Sequence, residues 1–295
     1  MTEQIETSSK KVRGMAQKSL DLINAMAAIA EDAQPITGRG VGYKLFTAGL
    51  IPSMARSEMQ RVYRLLKQAR EEDIIPWDWI VDEAREFEQV ASWDDPEEFA
   101  QSISRQYRLD FWKQQPERCE VWSEKGTLRG VLAPVLDEYG VGFRVMHGFS
   151  SATVVHDIAD DYDDRPLTAL YVGDWDPSGL YMSECDLPDR LAKYGSDHVQ
   201  VKRIALTQEQ LAALPSFPAS DKRKDPRYKW FIENFGNRCW EIDALDPNML
   251  RDRVEEEINL CITDLDAWER CETSDQAQRE SLQHVLMRWA SDVTS

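Results

Sequence analysis

The chain has 295 residues, of which 42% are hydrophobic and 30% are charged. That composition supports real hydrophobic cores, favours two domains and argues against a disordered tail. The five cysteines form no CxxC pair and the four histidines form no HExxH motif, which argues against a disulfide framework, a thiolate zinc site and a zincin. No apolar run approaches the roughly 20 residues of a membrane span, and the N-terminus lacks a secretory signal. We therefore expect a cytoplasmic protein that does not contact a membrane.

The net charge of -18 argues against a protein that coats DNA by charge alone. One segment, residues 39–70, departs from this balance, because it holds seven basic residues and a single acid, Glu58. Such a segment is suited to contacting phosphates. Its basic residues are Arg39, Lys44, Arg56, Arg61, Arg64, Lys67 and Arg70.

The N-terminal part of the chain reads as helical. Apolar spacing predicts helices over residues 9–33, 41–51 and 54–70, and basic residues run along the third beside its apolar face. A helix, a tight turn and a second helix with a basic stripe is the outline of a DNA-binding helix-turn-helix. The alternative is an ordinary surface helix with snorkelling side chains. The aromatic segment 74–81 is expected to form a wing or a cover, and residues 83–118 a polar connector.

From residue 119 onward, predicted strands and helices alternate. Such alternation indicates an α/β domain with a parallel sheet and helices on both faces. The strands are predicted within residues 119–124, 141–148, 166–174 and 198–206. The helices between them are predicted within residues 125–140, 150–162 and 186–194, and two further helices at 247–272 and 274–291 finish the chain.

Acidic side chains follow two of these strands. Glu124 closes the first, and Asp174 and Asp176 follow the third in the sequence GDWDPSG. Because the carboxyl ends of parallel strands line the binding crevice of an open sheet, the three carboxylates are expected to converge there. Their repulsion would be relieved by a hard divalent cation, and all-oxygen ligation suits Mg²⁺ or Mn²⁺. The alternative is a simple turn in which an Asp side chain caps the backbone.

Glu124 together with GDWDPSG resembles a Toprim domain, in the form found in the topoisomerase VI A subunit and its meiotic double-strand-break relative. Arg39-Gly40-Val41-Gly42-Tyr43 is similar to the nucleophile motif of that family, and QPERCEVWSEK and CWEIDALDPNMLRDRVEEEI resemble a bacterial and phage-borne branch. The resemblance covers roughly residues 35–262. It implies a winged-helix-like DNA-binding domain followed by a Toprim domain. The expected divisions are an N-terminal helix (1–34), the winged-helix-like domain (35–90), a connector (91–118), the Toprim domain (119–262) and C-terminal helices (263–295).

The resemblance also implies roles for individual residues. Glu124, Asp174 and Asp176 would be Mg²⁺ ligands, Tyr43 would be the attacking nucleophile, and Arg39, Arg61, Arg64 and Arg70 would contact DNA. Glu241 and Asp243 could either support the metal ligands or be structural acids, and the structural role is expected. Each chain would supply one tyrosine, so a double-strand break requires a two-fold dimer, and strand passage requires a separate ATPase chain.

The residues leave four functions open. The first is a tyrosine transesterase, and the second is a metal-dependent nuclease that uses water while Tyr43 packs in the helical hairpin. The glycines at 38, 40 and 42 suggest a flexible setting for that tyrosine. The third is a non-catalytic DNA-binding or adaptor protein that retains the fold, and the fourth is an unrelated metal-dependent phosphotransfer on a small substrate.

Overall fold

The computed structural model describes residues 17–81, 90–146, 152–160, 163 and 165–294. The chain divides into two compact units, one within residues 1–81 and the other within residues 82–295. Across the described ranges, no helix combines the length and the apolar character needed to cross a membrane. Residues 9–16 of the first predicted helix, 83–89 of the predicted connector, and 150, 151, 161 and 162 of a later helix lie outside the described residues.

The described part of the first unit contains three α-helices and a pair of very short strands. Ile23, Met26, Val62 and Leu66 are among the fully or almost fully buried side chains of its core. Helix α2 begins earlier than its apolar pattern suggested, because the Thr37 hydroxyl accepts a hydrogen bond from Gly40 N at 2.9 Å and caps the first turn. The elements are α1 (Gln17–Ala33), β1 (Ile36–Thr37), α2 (Gly38–Thr47), α3 (Arg56–Glu71) and β2 (Ile80–Val81).

The aromatic segment 74–81 covers the helices of this unit. A 3₁₀ turn, Trp77–Trp79, leads into β2, which pairs in parallel with β1 so that Ile36 lies opposite Ile80. Ile75 and Ile80 are buried in the same core. Of the two expected arrangements, these residues form the cover, because a wing would require an antiparallel hairpin and the described pair is parallel.

The glycines of α2 allow two helices to approach closely. A Cβ atom on Gly42 would lie 2.5 Å from Met59 Cε, and one on Gly38 would lie 3.2 Å from the ring of Tyr63. Both contacts are with α3. The sequence suggested a flexible setting for Tyr43, but these glycines lie within a helix and serve close packing.

The second unit confirms the predicted α/β class with a parallel sheet. Its four main strands are all parallel and lie in the order β4-β3-β5-β6. The strands are β3 (Arg118–Ser123), β4 (Gly142–Val145), β5 (Leu167–Val172) and β6 (Val199–Ala205), with a separate antiparallel pair, β7 (Phe217–Pro218) and β8 (Arg238–Cys239). The helices are α4 (Pro96–Gln106), α5 (Leu128–Tyr139), α6 (Ala152–Ala159), α7 (Pro177–Tyr181), α8 (Leu187–Lys193), α9 (Tyr228–Phe235), α10 (Pro247–Cys261) and α11 (Leu265–Thr294).

Helices cover both faces of this sheet, as the alternation predicted. On one face, α5 and α10 pack on Val121, Leu170 and Ile204. On the other face, α6 and α8 pack on Trp122 and Tyr171. Helix α5, between β3 and β4, and helix α8, the second of the two α-helices between β5 and β6, consequently lie on opposite sides of the sheet.

The predicted connector, whose pattern is helical, contains α4, and Phe99 of α4 meets Trp289 of α11 with 5.9 Å between ring centroids. One predicted boundary is wrong. The C-terminal helices break at residues 262–264 rather than at 273. Gln115 Oε1 accepts hydrogen bonds from the backbone of Thr263 and Asp264, and Asp264 Oδ1 accepts one from Ala267 N, which caps the start of α11.

Candidate functional site

The carboxyl ends of β3 and β5 form the candidate site. Ser123 pairs with Val172 at the last rung of these neighbouring strands, so Glu124 and the turn that begins at Gly173 leave the sheet side by side. The chain turns to opposite faces after these two strands. In doubly wound sheets this switch point is where the binding crevice opens. The expectation that Glu124 shares a sheet edge with GDWDPSG agrees with this geometry.

Glu124 is the unpartnered acid of the site. Its side chain is half-buried, and it makes no hydrogen bond or ion pair with any described residue. Burial raises its pKa, and the nearby charges of Asp176 and Asp174 raise it further, while Lys125 and Lys222 act in the opposite direction. The three predicted acids therefore act on one another electrostatically.

Asp174 is held by the backbone and by a lysine. Its Oδ1 accepts a hydrogen bond from Ile242 N at 2.8 Å and pairs with Lys125 Nζ at 2.9 Å. Burial raises the pKa of Asp174, with Lys125 as the main opposing influence. Lys125 Nζ also lies 2.8 Å from Asp243 Oδ2. This contact agrees with a structural role for Asp243.

Asp176 has two tasks. Its Oδ1 caps α7 by accepting hydrogen bonds from Gly179 N at 2.8 Å and from Ser178 Oγ at 3.0 Å, as the turn alternative anticipated. Its Oδ2 lies 2.9 Å from Lys222 Nζ. Burial alone would raise the pKa of Asp176, but the Gly179 N–H and Lys222 outweigh it, and the pKa is lowered.

The sequence did not indicate which cations lie at the site. Lys125 directly follows Glu124, and Lys222 is the second residue of a segment, DKRKDPRYK, with five basic and two acidic residues. Arg223, Lys224 and Lys229 of that segment are exposed. The run of basic residues within an acidic region could have been recognised from the sequence as a candidate anion-binding segment. The contact between Lys222 and Asp176 could not, because these two residues lie far apart in the chain.

Arg203 and Tyr171 form a buried pair beside the acids. Arg203 donates hydrogen bonds to the carbonyl oxygens of Gly173 (2.9 Å) and Gly179 (2.7 Å), so it braces the turn that carries Asp174 and Asp176. Its guanidinium carbon lies 5.2 Å from the centre of the Tyr171 ring. The Tyr171 hydroxyl is buried without a hydrogen-bond partner, and burial raises the pKa of Tyr171.

The acids supply the oxygen ligands that suit a hard cation, and lysines now neutralise two of them. No group of three or more His, Cys, Asp or Glu side chains among the described residues is placed to hold a metal ion. Glu124 and Asp174 Oδ2 nevertheless have no hydrogen-bond partner within the described part of the chain. These oxygens are the type of ligand that Mg²⁺ and Mn²⁺ take.

The predicted nucleophile and the predicted DNA contacts belong to the first unit. Tyr43 lies on α2 with 5% of its surface exposed, a position that fits an aromatic packed among the helices. Arg39 lies over its ring, 5.8 Å from the centre, and Lys44 lies 3.7 Å from Asp32. On α3, Arg56, Arg64 and Lys67 are exposed, whereas Arg61 and Arg70 are half-buried.

Comparison of the chain with protein-family models, with curated proteins and with solved structures gave no match.

Proposed function

We propose that this protein is a Mg²⁺-dependent, Toprim-like enzyme that cleaves phosphodiester bonds in DNA. The observation that carries the proposal is the position of Glu124, Asp174 and Asp176. They follow two adjacent parallel strands at the switch point of the sheet, and the charges of the two aspartates raise the pKa of Glu124. In an α/β fold this is where ligands bind. The first unit, with its basic α3, serves as the DNA-binding domain of the proposal.

Glu124, Asp174 and Asp176 would hold the cation. Bound there, Mg²⁺ or Mn²⁺ would supply electrostatic stabilisation of the charge that develops on the phosphate oxygens. Lys222 and Lys125, which now neutralise the two aspartates, would have to share their carboxylates with it. Lys222 has a half-exposed side chain and stands at the head of the basic segment, so it is placed to turn toward a phosphate.

The chain's own residues would do the rest of the chemistry. The exposed Arg223 and Lys224 bind the DNA backbone next to the carboxylates. Arg203 donates a hydrogen bond to the backbone carbonyl oxygen of Gly173, at the start of the acidic turn. This bond holds the turn in place and limits the movement of Asp174. Glu124 has no partner among the described residues, so its carboxylate is open to the cation.

Hydrolysis by water is favoured over attack by Tyr43. A tyrosine that attacks a phosphodiester must reach the substrate and lose its proton, and Tyr43 is almost fully buried. The two-fold dimer and the separate ATPase chain apply to the transesterase form. The variant Tyr43→Phe separates the two forms: a hydrolase continues to cut, and a transesterase stops and no longer forms a covalent protein–DNA adduct.

The proposal is tested with supercoiled plasmid and Mg²⁺ or Mn²⁺. We expect nicking that is lost in EDTA, in Asp174→Ala and in Glu124→Gln. Glu209→Gln is a matched control, because Glu209 is exposed in the same unit and lies outside the site. Calorimetry should detect Mn²⁺ binding to the wild type and not to Asp174→Ala. A protein that neither nicks DNA nor binds the cation overturns the proposal.

The second candidate is a DNA-binding or adaptor protein that retains the fold without catalysis. The observation that favours it is the neutralisation of both aspartates by lysines, with Lys125 and Lys222 each 2.9 Å from a carboxylate oxygen. It predicts salt-dependent DNA binding that needs no divalent cation. Cleavage that depends on Asp174 would exclude it.

A further inference from the structure

The outward face of α3 combines basic and aromatic side chains. Residues 56, 60, 63, 67 and 70 follow one another at steps of four and three, so they share one face of the helix. The opposite face is buried through Met59, Val62, Leu66 and Ala69. On this face Arg56, Gln60, Tyr63 and Lys67 are exposed and Arg70 is half-buried, and Arg64 is exposed beside them.

Two large aromatic side chains on this surface remain accessible. Tyr63 is 42% exposed and Trp77 is 54% exposed. Each is nevertheless anchored. The Tyr63 ring lies against Gly38, and Trp77 lies under the guanidinium of Arg70, whose central carbon is 4.2 Å from the ring centre. Arg70 also donates a hydrogen bond to the Trp77 carbonyl oxygen at 3.4 Å. Exposed rings that are held in place lose little conformational freedom when they bind a flat partner.

The cations along α3 favour an anionic partner. The segment 39–70 has a net charge of +6 within a chain of net charge -18, although four acids follow it within residues 71–78. Three of its cations have ion-pair partners: Lys67 lies 3.3 Å from Glu71, Arg61 lies 3.8 Å from Glu58 and Lys44 lies 3.7 Å from Asp32. Arg56 and Arg64 are exposed and add positive charge along the helix. Alternating cations and aromatic rings fit a partner that presents phosphates and flat rings together.

We propose that this stripe, defined as Arg56, Tyr63, Arg64, Lys67, Arg70 and Trp77, binds an unpaired segment of DNA, with Trp77 and Tyr63 stacking on bases. In a duplex the faces of the bases are already covered by their neighbours, so only unpaired bases offer them to a protein ring. The basic side chains then follow the backbone. The inference rests on the proposed function in that DNA is the substrate, and it narrows that substrate to DNA with unpaired bases.

The test measures the binding of fluorescent oligonucleotides by anisotropy, in EDTA so that cleavage does not interfere. The probes are a single strand, the corresponding duplex, and an abasic strand of equal length and charge. We expect the single strand to bind most tightly. Trp77→Ala should weaken its binding by about 5- to 150-fold, the range that the loss of one stacked base gives. Trp77→Phe should restore most of it.

Controls separate stacking from charge and from misfolding. Trp289→Ala removes an exposed tryptophan of the other unit and should change nothing. Tyr63→Ala removes the second aromatic ring and should also weaken binding of the single strand. Circular dichroism checks that each variant is folded. Equal binding of the normal and abasic strands, tighter binding of the duplex, or unchanged binding by Trp77→Ala and Tyr63→Ala overturns the inference. Plasmid nicking by Asp174→Ala reports separately on the proposed function, so either idea can fail alone.

Discussion

Lys125 bridges two carboxylates, and its replacement by methionine gives a direct measure of how strongly the acids of the site depend on positive charge. Its Nζ lies 2.9 Å from Asp174 Oδ1 and 2.8 Å from Asp243 Oδ2, and the side chains of Asp174 and Asp243 are only 18% and 6% exposed. Removing one partner of a buried ion pair costs about 3–5 kcal/mol. Because the Lys125 side chain is 28% exposed, we expect the lower end, about 3 kcal/mol.

For a protein of this size, a loss of that order lowers Tm by roughly 6–12 °C. Thermal unfolding of Lys125→Met at neutral pH, in EDTA, measures the loss. The matched control is Lys224→Met, which removes an exposed lysine of the same unit and should alter stability by less than about 0.5 kcal/mol. Adding Asp174→Asn to Lys125→Met should recover much of the loss, because it removes one of the charges left without a partner.

The pH dependence of Lys125→Met has a definite sign. Burial raises the pKa of Asp174 and Lys125 opposes that increase, so the variant should raise the pKa further. Protonation of Asp174 then relieves the uncompensated charge, and the stability difference from wild type should be full at neutral pH and shrink as the pH falls through that raised pKa. A variant as stable as wild type at neutral pH, or a double variant without recovery, would refute this account of the site.

Three further results are expected. Glu124→Gln, in EDTA, should be more stable than wild type at neutral pH, because the carboxylate that it replaces has a pKa above the usual 4.5. The gain in stability should vanish as the pH falls through that raised pKa. A loss of stability at neutral pH would contradict this. Lys222→Gln should bind Mn²⁺ up to about 5-fold more tightly by calorimetry, since a partly exposed lysine that competes for Asp176 contributes at most about 1 kcal/mol; weaker binding would mean that Lys222 supports the site. Gly42→Ala should lower the urea midpoint by the equivalent of about 1–3 kcal/mol, because the new methyl group would lie 2.5 Å from Met59 Cε, and an unchanged midpoint would show that Met59 moves aside freely.

The sequence was informative where local pattern decides the structure. Alternating apolar strands and helices fixed the parallel sheet, and Gly140 ends α5 in the left-handed conformation expected of a helix-terminating glycine. The position of Glu124 beside Asp174 followed from the rule for strand ends. These features depend on residues close together in the chain.

What the sequence could not predict depends on distant residues. Lys222 reaches Asp176, and Asp243 reaches Lys125, across separations that no periodicity encodes. The glycines of α2 were misread because their purpose, close packing against Met59 and Tyr63, is visible only when α3 is in place. The strand ends thus predicted the acids of the site, and the fold was needed to find the cations that neutralise them.

The charge balance at the strand ends favours a cation-binding role over a purely structural one. Four carboxylates, those of Glu124, Asp174, Asp176 and Asp243, face two lysines, Lys125 and Lys222, and Glu241 also acts on Lys222 from the negative side. Arg203 adds no excess positive charge, because Glu184 lies 3.7 Å from it.

The acids named here therefore outnumber the lysines by two, where the fold is partly closed to water. Such an excess must be met by protons or by a cation. The raised pKa of Glu124 favours binding of a proton, and a bound divalent ion would instead neutralise the carboxylates directly. Potentiometry distinguishes proton binding from cation binding. If Mn²⁺ binds, its addition should release protons at a pH near the raised pKa of Glu124, and Glu124→Gln should abolish that release. Binding of Mn²⁺ without proton release at that pH would show that Glu124 does not participate.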